Sequence, residues 1–183
     1  MSEILKIALC GKMRSGKDSV AWRLFYEHGF EVPMSFGASL KRIAHEIFPD
    51  VPKEPKPRAL YQFMNVMRDY DPDVWVKHLA SSVEMAEDRR STSGIVVTDA
   101  RQANEVAWLR ENGFIIVKVE AGEVDRVERI KRAGETVTDE ALRHATEQYV
   151  DDIEADYTIP NFGTLDELYA KIDGLVGELK AGS

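Results

Sequence analysis

The chain has 183 residues, 44% hydrophobic and 31% charged, which is typical of one globular domain with its own core and excludes a disordered chain. The net charge of −8 argues against binding of nucleic acid polymers, although a few arginines converging in one cleft can still bind small phosphorylated ligands. The single cysteine, Cys10, cannot form an intramolecular disulfide, and we expect neither a signal peptide nor a membrane span, and a cytoplasmic location.

Hydrophobic spacing predicts strands that alternate with helices. Strands are expected at 4–10, 30–35, 95–98, 114–119 and 157–160, the second being weaker because it contains Pro33. Helices are expected at 17–27, 39–48, 58–70, 71–87, 105–111 and from 164 onward, where a capping box begins. This order predicts an α/β fold, a parallel sheet of about five strands with helices on both faces, which binds ligands at the carboxyl ends of its strands.

A glycine-containing loop follows the first predicted strand directly. Its residues match the G-x-x-x-x-G-K pattern of a P-loop, between a strand and a helix as that motif requires. The main-chain amides of such a loop and the positive end of the helix bind nucleotide phosphates, and the lysine reaches the β- and γ-phosphates. The residues expected to bind ATP here are Gly11, Lys12, Met13, Arg14, Ser15, Gly16, Lys17, Asp18 and Ser19.

Two aspartates are candidates for holding Mg²⁺. Asp18 occupies the position where the pattern normally has Ser or Thr, and we expect it to help hold the ion directly or through water. Ser19 lies one residue after the position of the Ser or Thr in the pattern. On a helix this shift rotates its side chain by ~100°, away from the expected ion. Asp99 ends a predicted buried strand, where a magnesium-organising acid belongs, although a helix cap or a turn explains it equally well. Arg101 either projects into the same cleft or lies on the surface.

With both segments in view, the chain resembles the bacteriophage deoxynucleoside monophosphate kinases. These proteins have a G-K-x-x-S-G-K-D type loop and a later D-x-R-x-x-N-E segment, which residues 11–18 and 99–105 match. A looser similarity extends over nearly the whole chain, up to residues 156–161. The resemblance implies a P-loop nucleoside monophosphate kinase fold, ATP as donor, Mg²⁺, and 5′-deoxynucleotides as acceptors. It corresponds to one domain, 1–183, with an acceptor-binding region at about 36–90 and a lid at about 123–152.

The resemblance also suggests an acceptor site. Its candidate residues are Lys41, Arg58, Gln62, Arg68, Trp75 and Arg101. Arg58 and Gln62 are four residues apart and share one helix face, which Arg68 leaves, and each of the three could instead be a solvated side chain. The ring of Trp75 could stack on an acceptor base, but a tryptophan on an apolar helix face is more often in the core.

A lid is predicted from arginines that repeat every three residues. Arg126, Arg129 and Arg132 either close over the phosphates or form a charged helix face with Glu128. Residues 134–152 would be the outer half of this lid, and His144 with Glu147 resembles a family H-x-x-E element. We expect Arg126 to bind ATP. The residues expected to neutralise the transferring phosphoryl group are Lys17, Arg14, Arg129 and Arg101.

The sequence therefore predicts transfer of the γ-phosphate of ATP to a nucleoside monophosphate. Two other functions stay open: a P-loop kinase for dephospho-coenzyme A or phosphomevalonate, and a nucleotide-binding switch with little or no catalysis. No general base is required, because an acceptor phosphate is already a nucleophilic anion. The expected partners are small nucleotides, without nucleic acid polymers or membranes, and a homodimer is plausible for the family although no sequence feature demands it.

Overall fold

A parallel four-stranded sheet lies at the centre of the molecule. The structure, a computed structural model, describes residues 4–89, 92–133 and 145–182, without the side chains of 145–148. In this part of the chain the strands are β1 (Leu5–Cys10), β2 (Gly94–Val97), β3 (Ile115–Glu120) and β4 (Tyr157–Pro160), in the order β2-β1-β3-β4. All three pairings are parallel, so the carboxyl ends of the strands lie at one edge.

The predicted fifth strand is absent from the described residues. Phe30 and Met34 form only isolated parallel bridges to Gly94 and Val97 of β2. Pro33 lies between them and has no N–H to donate, so the ladder cannot continue. The expectation of about five strands is therefore corrected to four, with 30–34 lying along the outer edge of β2.

The helices connect the strands and cover both faces of the sheet. Those described are α1 (Lys17–His28), α2 (Phe36–Ile47), α3 (Arg58–Asn65), α4 (Met67–Tyr70), α5 (Val74–Glu87), α6 (Ala103–Glu111), α7 (Glu123–Arg132), α8 (Ala145–Asp152) and α9 (Leu165–Ala181). The helix predicted at 58–70 is divided at Val66, and α5 begins three residues later than predicted. The predicted capping box is confirmed, since the Thr164 hydroxyl accepts a hydrogen bond from Glu167 N at 3.2 Å. Among the described helices, none has the length and apolar character needed to cross a bilayer.

Alternate residues of the strands pack into two separate cores. On one face, Ile7 and Leu9 of β1 pack with apolar residues of α1 and α9. On the other, Ala8 and Cys10 pack with α2, α5 and α6. Cys10 is fully buried, as expected for a small core residue, and burial raises the pKa of its thiol to about 11. Trp22 of α1 lies outside both cores and is 43% exposed.

Candidate active site

The loop between β1 and α1 has a backbone that only glycine allows at two positions. Gly11 has φ 139° and Gly16 has φ 112°, both in the region that side chains disfavour. A Cβ at Gly11 would clash with the carbonyl oxygen of Val119, and one at Gly16 would clash with the side-chain amide of Asn161. Arg14 also has a positive φ, of 62°, which costs about 1–3 kcal/mol for a residue with a side chain. The loop is therefore held in one strained conformation by its neighbours.

Lys17, the first residue of α1, is held against this loop. Its ammonium donates hydrogen bonds to the carbonyl oxygens of Gly11 at 2.7 Å and Lys12 at 2.9 Å, and the residue is 8% exposed. A cavity of about 210 Å³ opens beside it, lined by Arg14, Gly16, Lys17, Asp18, Ser19 and Arg129. Lysine, arginine and the start of a helix thus meet at one cavity, which suits an anionic ligand.

Two arginines of α7 contact the phosphate-binding loop from the other side. Arg126 donates from Nη1 to Met13 O at 3.4 Å and is 8% exposed, and Arg129 donates from Nη1 to Arg14 O at 3.2 Å. Arg132 instead pairs with Glu128 at 2.6 Å on the exposed side of the helix. Of the repeated arginines, Arg126 and Arg129 therefore contact the loop, whereas Arg132 pairs with Glu128 and lines a neighbouring cavity.

Asn161 joins the loop to the end of β4 and was not predicted as a site residue. Its Nδ2 donates to Ser15 O at 2.7 Å, and its own carbonyl oxygen accepts from Arg129 Nη2 at 3.3 Å. It is 6% exposed. Its place directly after β4, at the carboxyl edge of the sheet, is the sequence signal that could have identified it.

A second cavity, of about 330 Å³, adjoins the first. It shares Gly16, Ser19 and Arg129 with the phosphate cavity and is bounded on the far side by Phe162 and Gly163. Phe162 is 62% exposed, so one face of an aromatic ring is available there. The two cavities adjoin at Gly16, Ser19 and Arg129 as one cleft, and the second combines charged side chains of α7 with the ring of Phe162, which fits a nucleoside with a phosphate chain.

Beside this cleft, two buried polar atoms have no hydrogen-bond partner among the residues that the structure describes. They are Ser15 Oγ and Arg126 Nε, both donors next to the glycine loop. A buried donor without an acceptor is costly, because it has lost its water without gaining a bond. The oxygens of a polyphosphate would supply the missing acceptors, so the residues present fit ATP.

Asp99 lies beyond the end of β2 and contacts the first turn of α2. Its Oδ1 accepts from Phe36 N at 2.8 Å and its Oδ2 from Gly37 N at 3.1 Å. Burial raises the pKa of this carboxyl, while the two amides and the charges of Arg101 and Lys41 act in the opposite direction. This is the helix-capping arrangement that was the alternative for Asp99. Its predicted role with Mg²⁺ remains a prediction.

The candidate metal ligands do not form a complete cage. Within the described ranges there is no group of three or more His, Cys, Asp or Glu that could bind a metal by itself. Mg²⁺ is usually held by only one or two carboxylates together with substrate phosphates and water. Asp18 is exposed and lines the phosphate cavity, so it fits that pattern.

Lys41 and Arg101 lie near Asp99 at the start of α2. A Cβ placed on Gly37 would lie 3.5 Å from Asp99 Oδ2 and 3.9 Å from Lys41 Cε, so the two side chains meet above this helix end. Lys41 also lines a cavity of about 860 Å³ between α2 and the start of α3, to which His45 and Tyr61 contribute. Positive charge near Asp99 and a large adjoining cavity suit a phosphorylated acceptor.

The other predicted acceptor residues have different outcomes. Arg58 and Gln62 are both exposed on α3, one turn apart as their spacing predicts. The prediction that Trp75 stacks on a base is wrong, because it is 1% exposed and belongs to the core. The prediction that Arg68 binds the acceptor is also corrected, because its guanidinium donates to Asn65, Gln102 and Glu105.

Part of the predicted lid lies outside the described residues. This applies to 134–144, which includes His144, and to the side chain of Glu147. On the near side of that gap, α7 contacts the loop as described above. On the far side, Asp151 of α8 pairs with Lys12 at 2.8 Å. The described ends of the segment therefore both contact residues 11–15.

The parallel sheet and the glycine loop between β1 and α1 are those of the P-loop fold, and solved structures of kinases share this fold. A sugar kinase from Janibacter sp. HTCC2649 matches with TM-score 0.65 and 16% identity over 98% of both chains. Shikimate kinase from Acinetobacter baumannii, in complex with shikimate, matches with TM-score 0.59 and 21% identity over 97% of this chain and 95% of that one. A gluconokinase from Sinorhizobium meliloti 1021 matches with TM-score 0.54 and 20% identity over 98% and 97%.

A comparison of the sequence with models of protein families identifies the family of this chain. Residues 58–172 match the family model described as deoxynucleotide monophosphate kinase. The chain belongs to this family of P-loop kinases. No curated protein matches it significantly in sequence.

Proposed function

We propose that the protein transfers the γ-phosphate of ATP to a deoxynucleoside 5′-monophosphate, giving the diphosphate. The observation that supports this most directly is the family match over 58–172, which includes α3, Asp99, Arg101 and α7. The structurally similar sugar and shikimate kinases are below 25% identity and support the fold alone. The assignment of a deoxynucleoside monophosphate as the acceptor therefore rests on the family match and on the positive charge of the site.

On the donor side, the glycine loop binds the phosphates of ATP through its amides and through Ser15 Oγ. Lys17, Arg126 and Arg129 surround the loop and stabilise the charge that develops on the transferring group. Arg14 lines the same cavity and has the same effect. The nucleoside lies in the adjoining cavity, with its base towards Phe162.

Mg²⁺ neutralises phosphate charge and helps align the donor when it is bound. Asp18 is the residue that would hold it, directly or through water, because it is exposed and lines the phosphate cavity. Asp99 would contribute through water, since both of its oxygens already accept hydrogen bonds from main-chain amides.

On the acceptor side, Lys41 and Arg101 bind the phosphate of the nucleoside monophosphate next to Asp99. The sugar and base extend along α2 into the large cavity, which Tyr61 of α3 lines, and the exposed Arg58 and Gln62 lie on the same helix. The acceptor phosphate attacks without a general base, so the main task of the residues is to hold two anions in line.

The test is a panel of acceptors in a coupled assay of ADP release with ATP and Mg²⁺. Deoxy- and ribonucleoside monophosphates of every base are compared with shikimate, gluconate, dephospho-coenzyme A and phosphomevalonate. We expect turnover with one or more deoxynucleoside monophosphates. Turnover only with another acceptor, or none with any acceptor, contradicts the proposal, and the second result favours a nucleotide-binding switch.

A further inference from the structure

The buried carboxylate of Glu105 has an unusually complete set of partners. The residue is 2% exposed, and its Oε2 accepts from Arg101 N at 3.0 Å and from Gln102 N at 3.1 Å. Its Oε1 accepts from Arg68 Nη2 at 2.8 Å. Burial raises the pKa of this carboxyl, and the Arg101 amide and Arg68 oppose that effect.

All three nitrogens of the Arg68 guanidinium donate hydrogen bonds to side chains of the protein. Besides Glu105, it donates from Nη1 to Gln102 Oε1 at 2.8 Å and from Nε to Asn65 Oδ1 at 2.9 Å. Its side chain is 16% exposed. It therefore links α4 to the segment that follows β2.

A second capping box in the same chain shows that helix capping alone does not explain Glu105. Glu167 forms the equivalent bonds with Thr164 at the start of α9, but it is exposed and forms no ion pair that the structure shows. Glu105 is buried, which is costly for a carboxylate, and the cost is offset by Arg68 from a distant part of the sequence. A capping glutamate on the surface, such as Glu167, avoids this desolvation cost, so the burial of Glu105 calls for a further explanation.

We propose that Arg68 and Glu105 are positioning residues, which fix the main chain at Arg101 and thereby place the Arg101 side chain beside Asp99 and Lys41 for phosphoryl transfer. This inference rests on the proposed function, because Arg101 acts on the acceptor phosphate there. Asn104 extends the same segment to the start of α5, donating to Asp73 Oδ1 at 2.8 Å. Neither Arg68 nor Glu105 touches a substrate in this arrangement.

Steady-state kinetics of Arg68→Ala, Glu105→Ala and the double variant test the proposal. Each single variant should lower kcat about 10²-fold, the effect of misplacing a group by about 1 Å, and the double variant should be no worse than the weaker single variant. Arg89→Ala is the matched control, since it removes an exposed arginine that pairs with Glu31 at 2.9 Å away from the site. Additive losses, or a rise in acceptor KM alone in the Arg68 variant, would overturn the proposal.

A single substitution could unfold the protein by leaving a buried charge unpaired. The variant Arg68→Gln with Glu105→Gln removes both charges, and the new amide at 105 can still accept main-chain hydrogen bonds. We expect it to fold and to have reduced kcat, because the neutral pair fixes the segment less firmly. Full wild-type kcat in this folded variant also contradicts the proposal.

Hydrogen exchange provides a readout that does not depend on the acceptor. In Arg68→Ala, the amides of Arg101 and Gln102 should exchange about tenfold faster or more, as for a weakened hydrogen bond to a charged group, while Arg89→Ala leaves them unchanged. Unchanged exchange in both variants overturns the positioning role. If the wild type phosphorylates no nucleoside monophosphate but exchange responds as expected, the proposed function fails and the positioning of Arg101 stands.

Discussion

The donor side and the acceptor side of the cleft are built in different ways. On the donor side, residues 11–19 are consecutive, and their neighbours contact mainly the main chain: Arg126 reaches Met13 O, and Asn161 reaches Ser15 O. On the acceptor side, the contacts join side chains to one another, without a loop of consecutive residues. Arg68 and Glu105, for example, are 37 residues apart.

This difference explains why the residues of the donor side can be predicted from the sequence and those of the acceptor side cannot. A backbone cradle needs particular residues at fixed spacing, so a motif describes it. A network of side chains needs only compatible partners in space, and many spacings supply them. The predictions below test whether the two sides differ in function as they do in construction.

The largest effect is expected for Lys17→Ala. The substitution removes the cation of the phosphate-binding loop and should lower kcat about 10²–10³-fold, as for loss of one preorganised electrostatic donor. The assay is ADP release at saturating ATP and acceptor. Lys180→Ala, at the exposed end of α9, is the control and should keep wild-type activity. Similar kcat values for the two variants would contradict a donor side centred on Lys17.

A smaller effect is expected for Asp18→Ala. If this carboxylate helps to hold Mg²⁺, the ion concentration for half-maximal rate should rise about 10–100-fold. The measurement is a magnesium titration at fixed ATP. Asp166→Ala removes another acid from the first turn of a helix, α9, and should leave the titration unchanged. The same magnesium dependence in both variants would exclude Asp18 from metal binding.

Asn161→Ala tests the contact that tertiary structure adds to the donor side. The substitution deprives Ser15 O of its hydrogen bond and should lower the free energy of unfolding by about 1–3 kcal/mol. Urea denaturation measures this loss. The KM for ATP should rise while the KM for the acceptor stays constant, since the side chain of Asn161 donates to the donor loop. A change confined to the acceptor KM would invalidate the division into two sides.

The smallest effect is expected outside both sides, at Asp173 of α9. Hydrogen bonding to Arg23, and then to His28, lowers the pKa of this carboxyl from 3.8 to about 2. A depressed folded-state pKa stabilises the protein above the unfolded value and loses that effect as pH falls from about 4 to 2. Because the group is partly exposed, the contribution is about 1 kcal/mol or less.

Asp173→Asn should therefore reduce the free energy of unfolding slightly at pH 7 and not at pH 2. Urea denaturation of both proteins at several pH values measures the difference. Catalytic rates at pH 7 should be unchanged, because Asp173 lies on neither side of the cleft. A difference in stability that grows as the pH falls would have the wrong sign for this ion pair.

The contacts of three residues, Asp99, Trp75 and Asn161, could not be predicted from the sequence. Asp99 was placed correctly at the end of a strand, but its hydrogen bonds to Phe36 N and Gly37 N depend on where α2 begins. For Trp75 the sequence allowed either stacking on a base or packing in the core, and its 1% exposure shows that it packs in the core. Asn161 belongs to the segment 156–161 that resembles the family. Its contact with Ser15 joins the end of β4 to a loop 146 residues earlier, which the sequence does not indicate.

The sequence by itself determined the alternation of strands and helices, the glycine loop at 11–18 and the edge of the sheet where we expect ligands to bind. These features depend on local spacing, on glycine at positions of positive φ and on the parallel order of strands, all of which are written along the chain. Only the tertiary structure decided that 30–34 is not a full strand, that Arg126 and Arg129 contact the loop, and that Arg68 pairs with Glu105. Those outcomes depend on which distant side chains share one small volume, and burial and charge pairing settle that only after the chain has folded.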